Sequence, residues 1–201
     1  MRGRRNGTGT FDFSAAMTRL CTDVTDRVDD LLHVDMSQVA VSFAQTRRRV
    51  LHGLQAKLTP MRFEAGSLIT RRNGRLWTCQ RLIHDGREML YILTFYLPRF
   101  LDQPFHEKLT TVTHELLHVR PRFDGDLRRF EGRCYMHSPR RKESDRHASD
   151  LARRYLDSRP PAELYEFLRY DFRQLSRRHG SVVGMQVPIP KLIPLPDART
   201  A

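Results

Sequence analysis

Residues 114–118 read His-Glu-Leu-Leu-His. On a helix, positions i and i+4 lie one above the other on the same face, so His114 and His118 can reach a single ion. Glu115 sits one step around that helix, where its carboxylate can meet a water at the same ion. The chemistry this spacing suits is hydrolysis. Zinc brings the pKa of its water down to about 7, and a carboxylate beside it takes the proton as the water attacks a carbonyl. The same carboxylate can then hand the proton to the leaving amine. The sequence therefore predicts a Zn2+ site with His114 and His118 as metal ligands and Glu115 as the catalytic base.

A catalytic zinc usually has a third protein ligand. Three residues qualify by type and spacing. His137, in Arg-Cys-Tyr-Met-His, offers an imidazole, the commoner ligand, and is the preferred candidate. Glu143 lies further along, where the next helix should open. Asp124 stands six residues after His118, as the third ligand of a metzincin would, but Pro121 occupies the position where that pattern needs a glycine. Tyr135 could donate to a developing oxyanion or be a packed tyrosine, and His147 could be a second donor or a surface residue. Asp124 and Asp126 could orient a ligand histidine or form a plain Asp-Gly turn. Arg120, Arg122, Arg128, Arg129 and Arg133 crowd the same loop.

The elements that must position these residues follow from periodicity. Met17, Leu20, Cys21, Val24, Val28 and Leu31 recur at helical spacing behind a cap at Asp12 or Ser14. Val39, Val41 and Phe43 alternate as a strand does, and residues 50–63 fit a second strand. Asn73-Gly74 and Asp85-Gly86 mark hairpins. The run Met89 to Leu97, bounded by Gly86 and Pro98, reads as a buried central strand. The spacing then predicts a helix from about Asp102, with Pro104 in its first turn, to about Val119. Two closing helices are expected, near Glu143 to Asp157 and from Pro161 to Arg178, with His179-Gly180 as a cap. The fold class expected is α+β: a zincin-like single domain with a small, mostly antiparallel sheet, an active-site helix carrying HExxH, and two C-terminal helices. Residues 1–11 are expected to be disordered, 12–180 to form the domain, and 181–201 to be an extended proline-rich tail.

Composition sets the outer limits. A chain of 201 residues with 39% hydrophobic residues suits one domain. No apolar run reaches membrane-spanning length, so no membrane partner is expected. Cys21, Cys79 and Cys134 are far apart and odd in number, which argues against a disulfide framework. With no signal-like segment visible, the expectation is a soluble, cytoplasmic protein. The net charge of +12 admits an anionic partner such as nucleic acid. Lysine occurs only at Lys57, Lys108, Lys142 and Lys191, and such an arginine skew also follows from a GC-rich genome.

The stretch HELLHVRPRFDGDLRRFEGRCYMHSPRRKESD (114–145), together with VAVSFAQTRRR (39–49), resembles a largely uncharacterised family of zinc metallopeptidases found in phages, prophages and bacteria more widely. The likeness extends over most of residues 12–175. It implies a zincin-type fold and peptide-bond hydrolysis of a protein or peptide substrate. It implies the roles of His114, Glu115 and His118, and less firmly that of His137. Two other readings are compatible with the residues. One is an SprT-like protease acting on DNA-associated proteins. The other is a non-enzymatic basic nucleic-acid-binding protein whose zinc is structural.

Overall fold

The computed structural model describes residues 9–46, 53–129 and 140–196, without the side chains of 140–142. The chain enters through a short strand, β1 (Thr10–Asp12), and turns at once into α1 (Phe13–Arg27). Asp12 caps that helix, its carboxylate accepting the Ala15 N–H at 2.9 Å. The apolar stripe read from periodicity is the buried face: Phe13, Met17, Leu20, Cys21 and Val24 are inaccessible to solvent. Phe13 is the centre of an aromatic cluster, edge-on to Phe43, Phe95, Phe100 and Phe167 with ring centroids 5.7–6.3 Å apart.

β2 (Val39–Gln45) and β3 (Ala56–Pro60) come next. Two hairpins follow: β4 (Ile69–Arg72) with β5 (Arg75–Cys79), and β6 (Ile83–His84) with β7 (Arg87–Glu88). Their tips are the expected Asn73-Gly74 and Asp85-Gly86, all four residues at positive φ as a tight two-residue turn requires. β8 (Tyr91–Leu97) is the apolar run, and it occupies the centre of a three-stranded sheet in the order β2-β8-β3.

The expectation of one small, mostly antiparallel sheet holds for the pairing and fails for the number: four of the six strand pairings among the described residues are antiparallel, but they form four sheets and the central one is mixed. β3 pairs antiparallel with β8, Leu58 opposite Leu93, but β2 pairs parallel with it, Val41 opposite Leu93. The chain reverses between β2 and β3, then detours through both hairpins before β8 inserts between them. β8 thus opposes β3 and runs with β2. The hairpins stay outside this sheet, and four small sheets are present among the described residues.

α2 (Phe105–Leu117) lies against β3 and buries Leu109, Val112 and Leu116 completely. α3 (Arg140–Asp157) packs on α2, with Ala148, Leu151 and Tyr155 buried. The Thr113 hydroxyl in that interface donates to the Ala148 carbonyl at 2.7 Å.

The single helix expected over 161–178 is divided. α4 (Ala162–Tyr165) runs into a 3-10 turn over Glu166–Arg169, and α5 (Phe172–His179) starts afresh. The cause is Lys108, 2% exposed, whose ammonium donates to the carbonyls of Leu168 and Tyr170 at 2.8 Å each. Carbonyls turned toward that ammonium cannot serve a continuous helical ladder. Asp171 and Gln174 then form a reciprocal capping box that begins α5, which ends on Gly180 at φ 80°.

The described stretches before α1 and after α5 pair with each other. β1 pairs in parallel with β9 (Ser181–Val183), so Thr10 and Phe11 are ordered; residues 1–8 lie outside the described part. Beyond β9 the chain runs extended, as its prolines require. Phe43 N–H donates to the Met185 carbonyl, and Met185 and Val187 N–H donate to the hydroxyls of Ser14 and Ser42. β10 (Leu192–Pro194) then adds a strand to β5. Among the described residues no helix is long and apolar enough to cross a membrane.

Candidate metal centre

α2 has one face committed to the core by Leu109, Val112 and Leu116, which turns His114 and His118 together to its other side. The two imidazoles stand with ring centroids 4.9 Å apart at 78°. Burial, then His114, then Arg128 push the pKa of His118 down to about 4, so its ring is neutral and keeps a lone pair through the physiological range. The Nδ1 of His114 lies 3.5 Å from Oδ1 of Asp145, in the second turn of α3. A carboxylate in that position favours the imidazole tautomer whose Nε2 is free to ligate.

Glu115 points to the sheet. Its Oε2 accepts the backbone N–H of Leu58 at 2.7 Å. Leu58 is on the outer strand, and in an antiparallel pair alternate residues turn their polar groups toward and away from the neighbour. Gln55 and Met61 bond β8-side partners at Tyr96 and Leu90, so by parity Leu58 faces the free edge, where Glu115 meets it. Burial raises the Glu115 carboxyl to about 7, against the opposing pull of the Leu58 N–H and Lys57.

No family model, curated protein or solved structure matches the chain. What the site can do is therefore argued from its own residues.

The loop after α2 is fastened from several sides. Val119 bridges Leu127, and Arg128 N–H donates to the His118 carbonyl at 2.8 Å. Asp124 is held by Arg120 at 2.7 Å, and the buried Asp126 accepts the N–H groups of Ala65 and Leu127 at 2.9 Å each. Both carboxylates therefore serve the turn. Gly125 between them has φ 84°, and a Cβ there would come within 2.5 Å of the Arg62 side chain. Glu143 is exposed in the first turn of α3, and His147 is half-exposed, 3.9 Å from Asp30. Among the described residues no three His, Cys, Asp or Glu side chains are grouped to hold an ion. His137, the third ligand expected from sequence, lies outside the described residues, as do Tyr135 and Arg133.

Two contributors escaped the sequence reading. Asp145 stands on the face of α3 that carries Ala148, Ala152 and Tyr155, all buried, and that i, i+3, i+7 spacing was the available signal. The Leu58 N–H left no signal, because its role depends on a pairing between distant segments.

One ion-pair cluster braces the loop through Arg62 and yields a pH prediction. Glu88 Oε1 accepts from Arg62 at 2.7 Å and from Arg81 at 2.8 Å. Arg81 first, and Arg62 with it, pull the Glu88 carboxyl down to about 2 from an ordinary 4.5. A depressed carboxyl contributes stability above its unfolded pKa and loses it as pH falls toward the folded one. Glu88→Gln should therefore be less stable than the parent at neutral pH. That deficit should shrink below about pH 4.5 and vanish near 2, read from urea unfolding at stepped pH.

Proposed function

We propose that this chain is a zinc-dependent metallopeptidase of the phage and prophage type, with a zincin-like arrangement. The observation that carries the reading is the set of His114, Glu115 and His118 on one face of α2, with Glu115 turned to the free edge of β3. The donor chemistry fits zinc: two imidazoles one turn apart, one held neutral by burial and the other beside a carboxylate that fixes its tautomer. His114 and His118 would hold the ion, with His137 as the proposed third ligand. Zinc bound there would polarise the scissile carbonyl and acidify the attacking water.

The rest of the reaction belongs to the chain. Glu115, with a carboxyl near neutrality, takes the proton from the attacking water and gives it up to the leaving amine. The Leu58 N–H holds that carboxylate in one rotamer while its second oxygen stays available for the transfer. Among the described residues β3 pairs with no other strand on this side, so an extended peptide laid along it would run beside Glu115, its backbone bonded to the strand and its side chains alternating in and out. That geometry favours unfolded or extended segments as substrates.

Removal of the metal tests this. A chelator should abolish cleavage of an unfolded protein such as reduced casein, and zinc alone should restore it. Cleavage that continues at the same rate in the chelated chain would rule the reading out.

A further inference from the structure

We infer that the β4–β5 hairpin is a nucleic-acid-binding surface, with Arg71, Arg72 and Arg75 set against a phosphate backbone. Several arginines elsewhere in the described structure sit beside carboxylates: Arg62 and Arg81 on Glu88, Arg120 on Asp124, Arg129 on Glu64, Arg154 on Asp30. The hairpin has no such pairing. Between Glu64 and Asp85 the sequence holds no carboxylate, and Arg71, Arg72 and Arg75 are exposed with no acidic partner among the described residues.

Their placement sharpens the point. Arg72 and Arg75 face each other directly across the last rung of the hairpin. Like charges directly opposite destabilise a strand pair unless an anion lies between or over them. Arg71 is tethered to the turn, its guanidinium donating to the Gly74 carbonyl at 2.9 Å. Arg75 also lies 5.7 Å from the Trp77 ring centroid, which braces its stem against an aromatic face. The platform is stiff. The turn is a tight two-residue one, and β10 backs the other edge of β5, with Ile193 opposite Thr78. The result is a narrow ribbon with three guanidinium groups at its tip, a shape that the major groove of a duplex, about 12 Å wide, admits. Arginine suits the target, since its planar fork binds phosphate oxygens in pairs.

This proposal is independent of the peptidase reading, because it is tested by binding alone. The probe is a fluorescently labelled DNA duplex of about 20 base pairs, followed by anisotropy across a series of potassium chloride concentrations. Beside the parent chain stand R71Q/R72Q/R75Q and a control, R153Q/R154Q, on the exposed side of α3. The triple variant is expected to bind at least about tenfold more weakly, with the slope of log K against log salt reduced by roughly two to three, one step per lost phosphate contact. The control should match the parent. The melting temperature of the triple variant should be unchanged or higher, since a repulsive pair has been removed. Equal affinity of the triple variant and the parent would overturn the proposal. So would a parent that leaves duplex unbound at physiological salt while binding vesicles of phosphatidylserine, which would make the hairpin a lipid-facing surface.

Discussion

On the proposed peptidase reading, Glu115→Gln is expected to lower kcat on a susceptible peptide by about 10²–10⁴-fold, with zinc binding and the fold retained. The substitution keeps shape and volume. A glutamine carbonyl can still accept the Leu58 N–H that positions Glu115. What it removes is the basic carboxylate that takes up the proton. A loss in kcat with KM little changed would mark a group that acts in the transition state rather than in holding substrate. The metal-free chain offers a second readout. Burial holds the Glu115 carboxyl at about 7, above its unfolded value, so the ionised form costs stability as pH rises through 7. The neutral amide escapes that cost, and the variant should melt at an equal or higher temperature than the parent at pH 8. Full turnover by the glutamine variant would place the base elsewhere.

On the same reading, His118→Ala is expected to weaken zinc binding by at least about 100-fold, and His114→Ala to do the same. Each removes one of the two neighbouring imidazoles, and the one left cannot chelate alone. His118 is the more informative position. Burial and the neighbouring positive groups keep its ring neutral down to about pH 4, so in the parent no proton competes with the metal at neutral pH. Because a ligand that binds only the folded state stabilises it, zinc should raise the melting temperature of the parent and leave that of His118→Ala unmoved. A stabilisation by zinc that survives the loss of both histidines would mean that the ion sits on other residues.

Much of this was legible in the sequence where the cause was local. The stripe from Met17 to Val24, the Asp12 cap, the two turn dipeptides and the helix bearing His114 and His118 all follow from spacing within a few residues. What depended on distant segments was not legible. The parallel pairing of β2 with β8 follows from where the hairpin detour returns the chain, which no window of sequence contains. The break between α4 and α5 is imposed by Lys108, 60 and 62 residues away from the carbonyls it takes. Asp145 reaches His114 only because α3 packs on α2. Asp124, already disfavoured as a ligand by Pro121, is bonded to Arg120 in the turn after α2, a contact that spacing alone does not show.

The measurement that bears most directly on the account is an equilibrium zinc titration of the parent chain beside the His114→Ala/His118→Ala double variant, with bound metal counted per chain. The account predicts one tightly held zinc per parent chain and none in the double variant at the same free concentration. Equal zinc content in the two chains would contradict it.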